Sequence, residues 1–443
     1  MQGSMTNLAI GRLDLPDEQA WIALMGSNVM GGLVGSEYQF HPSDEETTRE
    51  LVQLHLRGSQ QQLRQWLDRL EDFEQQPEDL FLRLWSEDRQ GYGYARIHQL
   101  RLNTLSGHLA SHERGSLELD LDVVRETFFF SEEVPLPLSN SSGPPRESGV
   151  MIYNHDDAAS GHDNWFKIGA ENLNLKFPAL TRFQIENNFN GPDLGDFWVG
   201  SLTCSLGQPQ PKLNLEAEDG SGGTIFSHNQ ASGGKYCQYN WTGDDWQTLT
   251  SWVLGPIEVS QLAGTSVLPF LRFFNSLPDT TLQLRILINL QGKLVFEGPA
   301  THPTPGKGYT SLDPLGLPLG ELPMKSYASH HQLVLQAKQK EAGEHLLELD
   351  DLLLLPQHGF AGYHALSGLS NSMKLIEDGM SSKTWSLQDG MEFKSHNRIG
   401  SGLRLEPGLP QYFWIFQTDS NGLAHIDRTL LVNAWYRKQW RLP

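Results

Sequence analysis

Two stretches of this chain carry side chains whose types and spacing could do chemistry. In His155-Asp156-Asp157 and Gly161-His162-Asp163-Asn164, acids and an amide crowd into one short loop. Asp156, Asp157, Asp163 and Asn164 could supply oxygen ligands to Ca2+, with the imidazoles spectating or taking a transition metal. The competing reading is a polar turn whose Asp and Asn side chains bond their own backbone. No EF-hand spacing is present, so the turn is preferred and no cofactor is expected unless Ca2+ sits here. Further along, Tyr236, Tyr239, Trp241, Trp246 and Trp252 lie close together beside Asn240, Asp244 and Asp245. Sugar rings stack on aromatic faces and hydrogen-bond to nearby amides and carboxylates. Tyr236, Tyr239, Trp241, Asp245 and Trp246 are therefore the candidate glycan-binding residues, against the commoner use of large aromatics as sandwich core.

No catalytic residue is assigned, and the chain is expected not to be an enzyme. Asp350-Asp351 could suggest paired acid and base, but neighbours on a strand point to opposite faces and cannot flank one bond. The G-x-S-x-G elbow, the Walker A loop, the G-x-G-x-x-G fingerprint and H-E-x-x-H are all absent. Cys204 and Cys237 are the only cysteines and lack CxxC spacing, which supports neither a disulfide framework nor a thiolate metal site.

Bulk composition bounds what remains. Lys+Arg of 33 against Asp+Glu of 53 gives −20, so bare phosphate backbones are repelled and nucleic acid is a poor partner. No apolar run approaches the ~20 residues of a membrane-spanning helix, so no membrane insertion is expected. No leader with a basic then apolar stretch is visible, which points to synthesis in a reducing cytoplasm. At 443 residues, two or three domains are expected, and the 43 glycines and 24 prolines fit many turns and short strands.

The elements that must position these side chains are mostly strands. One convincing helix stands out at 59–73. Ser59 and Gln62 form a capping box, Leu63, Trp66, Leu67, Leu70 and Phe73 make one apolar face, and Gln76-Pro77 ends it. Strand patterns at 48–56, 80–85, 94–102 and 116–130 surround it, giving an α+β unit over 1–134. Residues 135–149 (PLPLSNSSGPPRESG) read as a linker. Beyond them short strands recur, with 208–234 polar and glycine-rich, 346–355 (LLELDDLLLL) a buried strand, and the last segment a hairpin around Asp419-Ser420-Asn421-Gly422. The expected class is mainly β, an α+β N-terminal domain followed by β-sandwich or jelly-roll domains.

The order strand 51–56, helix 59–73, strand 80–85, then 115–130 ending in Thr127-Phe128-Phe129-Phe130 resembles the N-terminal unit of distal tail proteins of long-tailed bacteriophages. The strand Lys293–Phe296 leading into Glu297-Gly298-Pro299-Ala300, and the closing Asp427-Arg428-Thr429 with Tyr436-Arg437-Lys438, are similar to strand wording in such tail proteins. The resemblance implies a galectin-like sandwich in two segments, 150–224 and 362–443, around an inserted carbohydrate-binding-like jelly roll at 225–361. It further implies a homo-hexameric ring in the virion tail, assembled in the host cytoplasm. Its partners would be the tail tube protein, tail-tip hub or receptor-binding proteins, and a host-surface glycan. The alternatives are a glycan-binding adhesion protein or, third, a cell-wall glycoside hydrolase.

Overall fold

The computed structural model describes residues 8–12, 21–25, 33–39, 47–77, 79–86, 91–104, 116–157, 160–169, 175–207, 209–262, 264–278, 281–316, 331–341, 343–379, 383–393, 396–400 and 403–440. The protein is mainly β, as the sequence pattern predicts, with antiparallel sheets and, among the described residues, one long helix. The chain divides into two compact units, Met1–Val134 with Leu175–Ala179 and Arg437–Pro443, and Pro135–Asn174 with Leu180–Tyr436.

In the first unit the helix Gln60–Gln75 starts where its capping box places it. The Gln62 amide donates to Ser59 Oγ at 3.3 Å, and the Ser59 amide donates to Gln62 Oε1 at 3.0 Å. Leu63, Leu70 and Phe73 are buried, and Trp66 and Leu67 pack at the margin of the same core. That core is completed by Leu80, Leu82 and Leu84 of the strand Leu80–Ser86 and by Leu119, Leu121 and Val123 of Ser116–Glu126. The apolar stripe thus packs on its own sheet, where burial contributes ~25 cal/mol per Å² of apolar surface. A buried Arg125–Glu50 ion pair lies in the same unit. Arg125 also donates to the Glu126 and Thr127 carbonyls and lies 4.3 Å from the Phe129 ring, fixing the corner after Ser116–Glu126.

The second unit contains four sheets among the described residues. Two are built from strands on either side of a long insertion. One runs through Leu138–Asn140, Trp165–Ile168, Gln411–Asp419, Leu194–Thr203 and Ala361–Leu369; the other through Val150–Tyr153, Thr429–Arg437, Ala179–Asn187 and Lys374–Asp378. Phe166, Phe183 and Phe413 stack between them. The inserted strands form the other two. Lys235–Thr242, Glu344–Pro356 and Ser266–Phe273 make one, and Gln247–Val253, His331–Lys338 and Gln283–Leu290 the second. Every residue of Gln411–Asp419 is buried, because its second face packs on the insertion through Trp198, Phe270 and Phe416.

Two expectations change here. Residues 135–149 form the short strands Val134–Leu136, Leu138–Asn140 and Gly143–Arg146 rather than a linker. Leu136 and Leu138 are buried, and Pro144-Pro145 is tolerated because its strand lies at a sheet edge. The last segment is not a hairpin, since Gln411–Asp419 and Thr429–Arg437 lie in different sheets. Asp419 Oδ1 accepts from the Asn421 and Leu423 amides at 2.8 Å, and Gly422 takes a positive φ of 82°. That turn chemistry serves an arch between sheets as well as a hairpin. Cys204 and Cys237 are buried free thiols.

Candidate functional site

The strand Glu344–Pro356 reads as a buried run because it is central, with Lys235–Thr242 on one side and Ser266–Phe273 on the other. Its pairing slips within the acidic pair. Arg272 faces Asp351, but the next residue, Phe273, faces Leu349, which leaves Asp350 as the extra residue of a β-bulge. The bulge cancels strand alternation, so the expectation that Asp350 and Asp351 point apart is overturned. Arg272 grips Asp351 with two bonds, Nη2 to Oδ2 at 2.8 Å and Nε to Oδ1 at 3.2 Å, while Asp350 Oδ2 lies 3.8 Å from Nε.

More carboxylates converge on this point. Glu216 ends the strand Asn214–Glu216 and pairs directly opposite Asp351. Its Oε1 accepts from Ser232 Oγ at 2.8 Å, and the Ser232 amide donates to Asp350 Oδ1 at 2.8 Å. Gly233 follows at φ +59°. A Cβ there would stand 3.2 Å from Glu218 Oε1, so a residue without a side chain lets the turn approach the acids.

One guanidinium cannot neutralise this group. Burial pushes the Asp350 carboxyl up to about 8, with the neighbouring Asp351 charge adding to it. Glu216 is raised well above the ordinary carboxylate range, first by burial and then by Asp351 and Asp350, and Asp351 is also raised by burial. Glu216 Oε2, Glu218 Oε2 and Arg272 Nη1 are buried without hydrogen-bond partners. At neutral pH the cluster therefore holds protons that carboxylates normally release. Arg272 and Asp350 also line a cleft of about 330 Å³, with Gln230, Phe274, Asn275, Ser276 and the segment Leu423–Asp427 around its walls.

The loop proposed for Ca2+ is spread over separate partners. The Trp165 indole donates to Asp156 Oδ1 at 3.3 Å, Asp163 accepts from the Ser141 amide and hydroxyl at 3.0 and 2.7 Å, and Asn164 Nδ2 donates to Asn214 Oδ1 at 3.0 Å. Burial raises Asp156 to about 6. Asp157 Oδ2 accepts from Ser160 Oγ at 2.5 Å. Among the described residues, no three His, Cys, Asp or Glu side chains are placed to hold a metal ion.

The aromatic cluster also divides, because Lys235–Thr242 alternates. Cys237, Tyr239 and Trp241 point into the core, and Tyr236 points the other way. Tyr236 is itself sandwiched. Phe274 lies parallel to it at 4.1 Å and Phe226 stacks at 5.6 Å, so neither of its faces is open to a sugar. Trp246 lies elsewhere, with the Arg285 guanidinium 4.1 Å above its ring, and Asp245 is exposed nearby in sequence. The five residues do not form one platform. Sequence reasoning missed Glu216, Glu218, Ser232 and Arg272; they are adjacent only through strand pairing, and no local pattern marks them.

No known protein family matches the chain, and no curated protein is similar to it. Among solved structures, the chain is similar to a protein of the phage P2 baseplate in its activated conformation with Ca. The identity is 8%, with 93% of this chain and 98% of that one covered, at a TM-score of 0.24. It is also similar to the infectious bursal disease virus VP2 subviral particle (12% identity, 60% and 66% covered, TM-score 0.18). A third likeness is to exo-beta-1,3-galactanase from Phanerochaete chrysosporium (14%, 69% and 78% covered, TM-score 0.19).

Proposed function

We propose that the chain is a structural component of a phage tail tip or baseplate, forming a ring that joins the tail tube to the host-recognition apparatus. The observation that supports it is the nested order of the chain. A strand–helix–strands unit comes first, with its helix packed on its own sheet. Sheets follow whose strands come from both sides of an insertion that builds two sheets of its own. This is the order that the resemblance to distal tail proteins implies. On this reading the chain is not an enzyme, and its partners are further copies of itself, the tube protein and hub or receptor-binding proteins. Negative-stain microscopy and light scattering of the purified full chain test it. Closed rings, expected as hexamers, are the predicted result; a strict monomer at high concentration overturns it.

A second reading, glycan-binding adhesion, is favoured by the cleft. Phe274 offers an apolar ring beside the amides of Gln230 and Asn275 and the hydroxyl of Ser276, the mixture a neutral sugar needs. Binding on a glycan array that is lost in Asn275→Ala would support it, and an array without signal would remove it.

A further inference from the structure

Both sheets of the insertion end in an exposed strand, and the two edges are treated differently. Among the described residues, Thr224–Ser227 pairs only with Lys235–Thr242, and Lys293–Glu297 only with Gln283–Leu290. A free edge offers unpaired N–H and C=O groups to another strand, and proteins blunt it with charges, proline or bulges. Lys293–Glu297 is blunted. Ile288 faces Phe296 and Asn289 faces Leu294, which leaves Val295 as the extra residue of a bulge, with Lys293 and Glu297 at the two ends. Thr224–Ser227 has none of these devices. Its pairing runs without a slip from Thr224 opposite Gln238 to Ser227 opposite Lys235. From Gly220 to Gly234 there is no Asp, Glu, Lys, Arg or Pro, in a chain of net charge −20. The whole strand is exposed, Ile225 to 53% and Phe226 to 40%.

The ladder sets where the free bonding groups point. The His228 amide donates to the Gly234 carbonyl at 2.9 Å, one step beyond the pair Ser227 and Lys235. Bonding direction alternates along a strand, so Phe226 bonds inward toward Tyr236, while Ile225 and Ser227 turn their N–H and C=O to the open edge. Aromatic rings stack alongside. Phe274 and Tyr236 are parallel at 4.1 Å, Tyr236 and Phe226 stack at 5.6 Å, and among the described residues the stack stops at Phe226.

We propose that the Thr224–Ser227 edge pairs with the same edge of a second copy of this chain, antiparallel, about a two-fold axis through Phe226. An axis normal to the sheet keeps every side chain on its own face, so it must pass through a residue. Through Phe226, it sets Ile225 opposite Ser227 of the second copy, and the reverse. Those are the residues whose N–H and C=O face outward, so both rungs exchange a pair of backbone bonds. Phe226 meets its symmetry mate as a close, non-hydrogen-bonded pair, and the aromatic stack continues across the axis. On the opposite face Ile225 comes diagonal to its mate. Copies of a chain at −20 repel one another, and an uncharged edge is where their approach costs least. This self-complementarity selects a second copy over an unrelated strand. The contact is short and therefore weak between two lone chains, and it strengthens where several copies are held together. It is isologous, whereas a closed ring of more than two copies is built from head-to-tail contacts, so it joins two chains or two rings without helping to close either.

The test compares the full chain with Phe226→Lys by light scattering over a dilution series. As concentration rises, the native chain should approach twice the mass of the variant, whatever assembly the variant itself adopts. Phe226→Cys, oxidised with glutathione disulfide, should give a disulfide-linked dimer, because a non-hydrogen-bonded pair brings its Cβ atoms within bridging reach. Val295→Cys, similarly exposed but on the blunted edge, should not. Phe226 is exposed, so its replacement empties no core, and circular dichroism checks the fold. Should Phe226→Lys fail to fold, Ser227→Pro takes its place; it removes an edge-facing N–H where an edge strand tolerates proline. A native chain that keeps the variant's mass at every concentration would overturn the pairing. So would a Phe226→Cys chain that cross-links no faster than Val295→Cys.

Discussion

In the first unit the Arg125 guanidinium is fully buried and paired with Glu50, with two backbone carbonyls and the Phe129 ring around it. In the second unit Arg272 is just as buried but meets Asp351 and Asp350 together, with Glu216 directly across the ladder from Asp351. The Arg125–Glu50 pair carries equal and opposite charges; the acids around Arg272 are in excess, and protons must balance them. A matched pair of this kind serves as a fixed pin, strongly felt when one partner is removed. An unmatched cluster has a protonation state to lose, and so couples the inserted strands to pH.

Breaking the matched pair should have the largest effect. Glu50→Gln keeps the shape and an acceptor but strands a buried guanidinium, and should cost about 3–5 kcal/mol in urea unfolding. A loss below about 1 kcal/mol would mean that water reaches Arg125, and the contrast between the two networks would collapse.

The unmatched cluster should respond to pH instead. Asp350 holds its proton up to about 8 in the fold, whereas an unfolded aspartate releases it near 3.8. Between those values the folded state binds more protons. The contribution of Asp350 is therefore fully present below pH ~4 and is lost as pH rises to about 8, at up to about 1.4 kcal/mol per pH unit. His155, lowered to about 4, works the other way between its folded and ordinary values, so the difference between native chain and variant is what isolates Asp350. Asp350→Asn should match the native chain near pH 4 and be the more stable of the two near pH 8 in thermal melts. Parallel profiles across that range would show that Asp350 is ionised throughout.

What the sequence disclosed follows the range of the interactions. The helix and its cap were legible because Ser59, Gln62 and the stripe Leu63–Leu70–Phe73 act within a few turns. Residues 346–355 read correctly as a buried strand because ten apolar-rich residues ending in Pro356 leave few other options. The bulge at Asp350 was not legible, since a register slip depends on the partner strand Ser266–Phe273, some eighty residues earlier. A still longer separation, 118 residues between Ser232 and Asp350 and more for Glu216, hides the other partners of these acids, and both sit in a stretch whose glycines and polar residues resemble a loop. Tyr236 and Tyr239 looked like one aromatic surface until alternation sent them to opposite sides of one strand.

The smallest effect belongs to a polar network with no charge at all, and it shows whether charge is what separates the other two. Ser59 and Gln62 satisfy two backbone amides at the exposed start of the helix, through neutral groups. Ser59→Ala removes the acceptor for the Gln62 amide and should cost about 1 kcal/mol. Because neither side chain titrates between pH 5 and 8, that cost should be the same at both ends of the range. A cap penalty that changed with pH would mean that the helix senses titration elsewhere in its unit, and the pH response could no longer be assigned to the acidic excess around Arg272.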